Sequence, residues 1–319
     1  MNNLIYADPK TLQQDQEKCL DIIISSLKTG SLNLIIGAGV SMSTNNPIIA
    51  KDSDSKTNVG FPNWISLAMS CCESASINFD VAKSGNNKYI LSKLEEVRDY
   101  CTISGKDFNK FVKDNLYKNV TYSIHSLRTN LLISIGALIM NSSKSNLTNV
   151  INYNFDDILE WYLTYHGFDL QIISKVDNII HSSDTVFYHP HGFLPYSGLF
   201  SEFTSKDIIL SNNDYGRAQW NEDFWNSIQR NIFSSKINLF IGMSGADTHI
   251  ENICQFSYER IVKKERILGV MIQCRESKDE EIEKQNNRNG ILVYYIDYYS
   301  DLPDLLLKIV RKARGIDHY

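Results

Sequence analysis

Nowhere in the 319 residues do two cysteines stand as Cys-x-x-Cys. A structural zinc site usually needs such a pair, so none is expected. The six cysteines are Cys19, Cys71, Cys72, Cys101, Cys254 and Cys274. Cys71 and Cys72, adjacent on an expected helix, point different ways and make a poor chelate. All six read as reduced, mostly buried thiols of a cytoplasmic protein. An excess of basic charge is lacking too. The net charge of −5 gives no polybasic drive toward nucleic acid or membrane. The basic clusters at Arg260, Lys263, Lys264 and at Lys308, Arg311, Lys312 fall in expected helices and read as solvated faces. The start, Met1-Asn2-Asn3-Leu4, has no basic stretch before an apolar run, so no signal peptide is expected. The apolar stretch from Leu131 to Met140 is too short to span a bilayer. No internal repeat and no low-complexity tract stands out.

What is present is apolar residue content of 43%, enough for a substantial core. Leu12, Cys19, Leu20, Ile23 and Leu27 form a rough helical stripe over 11–27, ended by Gly30. Leu32–Ile36 is an apolar run of strand length. Residues 43–60 are polar and read as a loop. Pro62 opens a helix through Trp64, Leu67 and Ala68. Residues 61–145 carry helical periods and almost no strand signal. Within them 122–140 is apolar nearly all round, as in a buried helix. From Asn149 the pattern alternates. Strands are expected at 150–153, 186–189, 237–241, 267–273 and 291–296. Helices are expected at 155–165, 220–233, 248–262, 278–284 and 302–314. Such alternation predicts an α/β fold: a Rossmann-like, mostly parallel sheet with helices on both faces. The chain reads as one domain over 1–319. Its core is 30–60 plus 146–319, with 61–145 as an inserted helical module.

Four stretches at expected strand ends can carry chemistry. In Gly37-Ala38-Gly39-Val40-Ser41, glycine lets backbone approach a diphosphate, a helix start favours its charge, and Ser41 adds a hydroxyl. A tight turn without ligand fits the same residues. In Ile151–Asp157, Asn154 can offer an amide to a ligand, or merely cap the next helix. Asp156 and Asp157 can complement that helix's dipole. In His189-Pro190-His191-Gly192, histidine is the natural proton acceptor near neutral pH. Strand alternation puts both rings on one side, but no third ligand is apparent, so no metal is expected. A structural histidine at a strand end fits as well. In Gly242-Met243-Ser244-Gly245-Ala246-Asp247 a second glycine turn can approach a ribose or phosphate, with Ser244 as donor. Capping competes here also, through Asp247 or through a box of Thr248 and Glu251.

In this order the stretches resemble the sirtuin-like superfamily, and within it the bacterial antiphage branch typified by the NAD-hydrolysing effectors of Thoeris systems. The resemblance is carried by Gly37–Ser41, Phe61-Pro62-Asn63-Trp64, Asn154-Phe155-Asp156-Asp157-Ile158-Leu159-Glu160, His191-Gly192, Ile209–Tyr215 and Gly242–Asp247. It covers about residues 32 to 260. It implies that Asn154 and His191 are the catalytic pair. Gly37, Ala38, Gly39, Ser41, Asp156, Gly242 and Ser244 would contact the dinucleotide. The four-cysteine zinc ribbon of protein-deacylating sirtuins is missing, since only Cys254 and Cys274 follow His191. Their Gly-Ile-Pro-Asp-Phe-Arg stretch is replaced by the polar loop 43–60. Phe155 stands where the branch usually has Tyr.

The resemblance implies an NAD⁺ glycohydrolase that depletes NAD⁺ in antiphage defence, with NAD⁺ as substrate and no metal. A homo-oligomer, or a partner such as an ATPase encoded beside it, would hold the activity off. Two other readings are an NAD-dependent protein deacylase and a non-catalytic nucleotide-sensing subunit.

Overall fold

The computed structural model describes residues 16–43, 60–120, 128–142, 149–175, 183–220, 224–245, 247–261 and 266–316. Most of the expected loop 43–60 and the first residues of the expected helix 122–140 lie outside these. Seven strands form one sheet: β1 (Leu32–Ile36), β2 (Asn149–Asn152), β3 (Leu170–Ile173), β4 (Thr185–Tyr188), β5 (Ile237–Ile241), β6 (Gly269–Cys274) and β7 (Ile291–Ile296). Their order is β3-β4-β2-β1-β5-β6-β7. Every neighbouring pair is parallel. The sequence predicts a mostly parallel sheet; this one is wholly so. β3 is the strand the apolar runs did not reveal.

Parallel strands are covered on both faces, so they read as apolar runs whose side chains split between two cores. Leu32, Leu34 and Ile36 of β1 and Ile237, Leu239 and Ile241 of β5 join one core. Ile35 and Phe240 join the other. Asn33 and Asn238 share that second face, both wholly buried. Asn33 Nδ2 donates to Asn238 Oδ1 and the Ile232 carbonyl, and Asn238 Nδ2 donates to the Phe233 and Leu268 carbonyls, which offsets most of the cost of burying the two amides.

Twelve helices are described. They are α1 (Gln16–Thr29), α2 (Ala38–Met42), α3 (Trp64–Ser74), α4 (Asn87–Ile103), α5 (Phe108–Leu116), α6 (Asn130–Ser142), α7 (Ile158–Tyr165), α8 (Asn212–Trp220), α9 (Phe224–Ser235), α10 (Thr248–Glu259), α11 (Glu280–Arg288) and α12 (Leu302–Arg314). Local capping explains where several of them start or end. Gly30 and Gly315 follow α1 and α12 with φ of 70° and 68°, a conformation that costs other residues more. Asn63 caps α3 by accepting from Ser66 N, so the helix starts just after Pro62 rather than on it.

Helices α3, α4 and α5 pack on one another. α6 instead packs on α12, α1 and α7, against the first core of the sheet. The expectation of a helix buried all round is corrected: Ile133 is 45% and Met140 58% exposed, so one side is not covered. α9 and α10 pack together over the second core.

The chain leaves β1 for β2 and β4 on one side, and passes from β5 to β6 and β7 on the other. The carboxyl ends of β1 and β5 therefore form a topological switch point, where open α/β sheets bind ligands. All four chemistry-bearing stretches follow the adjacent strands β4, β2, β1 and β5, at the same edge of the sheet.

Candidate active site

The two glycine turns lie directly against each other. Gly37 N donates to Ile241 O and Gly39 N to Gly242 O, both at 2.9 Å. A Cβ on Gly37 would meet Gly242 O at 2.6 Å, and one on Gly39 would meet Gly242 Cα at 2.8 Å. Gly242 has φ +71°, and its Cβ would meet Val40 N at 2.8 Å. These glycines are thus required by backbone packed on backbone, whatever else they approach. Ala38 is exposed at the start of α2, Ser244 is exposed in the second turn, and Gly39 and Gly242 are half-buried.

Asn154 does not cap a helix. α7 begins at Ile158, and its N-cap is Asp157. The Asn154 side chain turns to the first glycine turn instead. Its Nδ2 donates to Gly37 O at 3.0 Å and to Ser41 Oγ at 2.9 Å. Ser41 Oγ in turn donates a hydrogen bond to Asp156 Oδ1 at 2.9 Å. The Ser41 hydroxyl is thus directed at Asp156. Asp156 Oδ1 also accepts from Ile158 N. With both amide protons directed at the protein, the Asn154 oxygen is the atom left to address a ligand. The Asp156 carboxyl is pushed up to about 7 by burial, with Glu160 and Asp157 adding to the rise and the Ser41 and Ile158 bonds opposing it.

The backbone of Asn154 is held as firmly. Its N–H donates to Asn152 Oδ1 at 3.1 Å, and its carbonyl faces His189 Nδ1 at 3.3 Å. Asn152 Nδ2 donates to Glu160 Oε1, which also stands 3.1 Å from His189 Nε2. Glu160 and His189 are wholly buried. Asp157 binds elsewhere, accepting from Tyr117, Tyr196 and Ser197.

The structure corrects the expectation that His189 and His191 face one side. β4 ends at Tyr188, and the chain turns at Pro190 and His191 into Gly192, whose φ is +107°. Strand alternation therefore stops before either ring. His189 packs on Phe193 in the first core. His191 packs on Tyr153, of the second core, with ring centroids 4.7 Å apart. The Tyr215 and His249 rings cover it further. His191 is 5% and Asn154 7% exposed. Burial lowers the His191 pKa, and Asp247 nearby opposes the shift. Burial thus favours the neutral imidazole.

The second turn ends in Asp247, which caps α10 by accepting from His249 N and Ile250 N. That leaves no box between Thr248 and Glu251. The other Asp247 oxygen accepts from Tyr215 OH at 2.8 Å. A cavity of about 20 Å³ beside this turn, bounded by Phe240, Met243 and Cys254, has room for about one water.

Sequence reasoning missed His249, Asn226 and the Asn152–Glu160–His189 support. Glu160 closes the motif that starts at Asn154 and lies in the first turn of a helix, where a carboxylate ordinarily faces solvent. His249 carries no sequence signal at all, because its partners come from distant stretches. Among the described residues no group of three or more His, Cys, Asp or Glu is placed to hold a metal, and no helix is long and apolar enough to cross a membrane. All six cysteines are buried thiols.

Residues 148–294 match the family model of the SIR2-like domain. That span runs from β2 into β7 and takes in Asn154, Asp156, His191, Gly242 and Ser244; the turn from Gly37 to Ser41 precedes it. No curated protein matches the chain. The match supports a sirtuin-like relationship and points to NAD⁺-related chemistry.

Proposed function

We propose, taking that SIR2-like match as the premise, that the protein cleaves the nicotinamide–ribose bond of NAD⁺ with water. The observation that carries the reading is the convergence at one sheet edge of an oriented amide, a neutral imidazole and two glycine turns. Nicotinamide is cationic in NAD⁺ and leaves neutral, so the leaving group needs no acid. The enzyme must stabilise positive charge on the ribose and admit water. Asn154, tied through its nitrogen, presents its oxygen to the ribose hydroxyls and the water. His191 takes a proton from one of them. Gly37, Ala38, Gly39, Gly242 and Ser244 bring backbone and a hydroxyl to the dinucleotide. Asp156 steadies Asn154 through Ser41, and its second oxygen can hold the nicotinamide carboxamide.

A positioned base contributes about 10²–10⁴-fold. His191→Ala and Asn154→Ala should each lower nicotinamide release by about that factor while melting as folded proteins. Full turnover by both folded variants would remove the assignment. Such an activity is toxic unless restrained. By analogy with the antiphage branch it depletes NAD⁺ during infection, under the control of self-assembly or a partner ATPase. Nicotinamide release that rises on adding lysate from phage-infected cells is the expected result; no rise would count against the defence role.

A further inference from the structure

The cluster holds a second histidine. His249, in the first turn of α10, is 1% exposed and meets His191 edge to edge, with ring centroids 5.5 Å apart. Its Nδ1 lies 3.2 Å from His191 Nε2, and its Nε2 lies 3.1 Å from Asn226 Oδ1. The directions of these bonds follow from the far end of the row. The Ala218 carbonyl can only accept, so the Asn226 atom facing it at 2.8 Å is the amide nitrogen. The Asn226 atom facing His249 is then the amide oxygen, which also only accepts. His249 therefore carries its proton on Nε2. A neutral His249 with its proton on Nε2 has a bare Nδ1, which accepts. The proton between the two rings belongs to His191 Nε2, and the lone pair of His191 lies on Nδ1.

We infer that His249 is a positioning residue that fixes His191 as the Nε2–H tautomer, so that His191 Nδ1 is the atom that takes a proton. This rests on the reading of His191 as the base. Catalytic histidines are commonly oriented by a carboxylate, which also raises their affinity for protons. Here a carbonyl, an amide and a neutral imidazole do the orienting. The hydrogen-bonded partners that set the tautomer are neutral; Asp247 is the nearby charge that favours a proton on His191, and burial outweighs it. When Nδ1 gains its proton, the Nε2–H bond to His249 is kept, so the ring need not turn.

The test is ¹⁵N NMR of the full chain labelled at histidine, with His191 assigned by its loss in His191→Gln. The expected spectrum shows a protonated Nε2 and a bare Nδ1. His249→Phe removes the acceptor. It should move His191 toward mixed tautomers and lower the kcat for NAD⁺ cleavage about tenfold or more, the range in which orienting partners act. His249→Asn can present an oxygen where Nδ1 stood, and should keep the tautomer and most of the activity. A wild-type His191 protonated on Nδ1 overturns the inference, as does a folded His249→Phe protein with the tautomer unchanged. If His249→Phe fails to fold, the wild-type and His249→Asn spectra still decide. Neither spectrum needs turnover. A wild-type protein that releases no nicotinamide defeats the hydrolase reading and leaves the tautomer result as it stands.

Discussion

Single residues in the cluster are committed in opposite senses, and pH separates them. Asp156 is buried, and its carboxyl is pushed up from 3.8 to about 7. The native protein therefore keeps a proton between those values that the unfolded chain has lost. Stability from this group is fully present below 3.8 and is lost as pH rises toward and past 7. Asp156→Asn keeps an oxygen for Ser41 and Ile158 but never ionises. Its melting temperature should exceed that of the wild type by a few degrees at pH 8, with the gap narrower at pH 5. Comparing the two proteins at each pH cancels the titration of every other group. A gap that is equal at both values would mean that Asp156 titrates in the ordinary carboxylate range. Glu160 is committed differently. It is wholly buried and binds Asn152 and His189, which in turn hold the backbone of Asn154. It is the third residue of α7 and closes the Asn154–Glu160 motif that carries the family resemblance. Only the parallel pairing of β2 with β4 brings His189 beside it.

At the scale of elements, the contact between the turns after β1 and β5 decides whether the site can assemble. Gly242→Ala would put a side chain at φ +71° and against Val40 N and Gly37 O at 2.8 and 2.9 Å. Both neighbours are backbone and cannot swing away. The strained backbone alone costs about 1–3 kcal/mol. The denaturation midpoint should fall accordingly, and nicotinamide release should fall with it. Gly85→Ala, where a Cβ meets nothing within 4 Å, should stay within about 0.5 kcal/mol of the wild type. Equal midpoints for the two variants would show that the turns do not touch as described. The strands that carry these turns were legible because a parallel strand is apolar on both faces: Leu-Asn-Leu-Ile-Ile and Ile-Asn-Leu-Phe-Ile stand out from any register. β3 was not legible. It is an edge strand of four residues, Leu-Gln-Ile-Ile, with one neighbour. Its run is too short to separate from the end of a helix. The helix expected from Phe155 also starts later, at Ile158. Asn154 and Asp156 spend their side chains on the first glycine turn, a tertiary bond that no local propensity foretells.

Across the whole molecule, one buried carboxylate joins the helices between β1 and β2 to the segment between β4 and β5. Asp214 of α8 is 3% exposed on its side chain and pairs with Arg98 of α4 and Arg217 of its own helix. It also accepts from Ser211 N, Ser211 Oγ and Leu210 N. Burial alone would raise its pKa. The Ser211 N–H, Arg98, the Ser211 hydroxyl and Arg217 outweigh burial and hold the carboxyl below its usual range. Its contribution to stability is therefore present above 3.8 and is lost as pH falls through the lower native value. Tyr215 follows directly and covers His191, so the clamp also governs the wall of the proposed active site. The two arginines are not equivalent. Arg98 is 27% exposed and spans two elements, whereas Arg217 is 65% exposed and lies within one helix. Water screens the second pair far more. Arg98→Ala should destabilise the protein by roughly 1.5–3 kcal/mol, the scale of a charged hydrogen bond. Arg217→Ala should cost about 0–1 kcal/mol. Hydrogen exchange separates local from global loss. Arg98→Ala should raise exchange in 87–103 and 212–218 while leaving β1 and β5 protected, because those strands depend on the two sheet cores and not on the clamp. Uniform loss of protection in all four segments would mean that the helices fold as one unit with the sheet, and that Asp214 is simply one more buried contact.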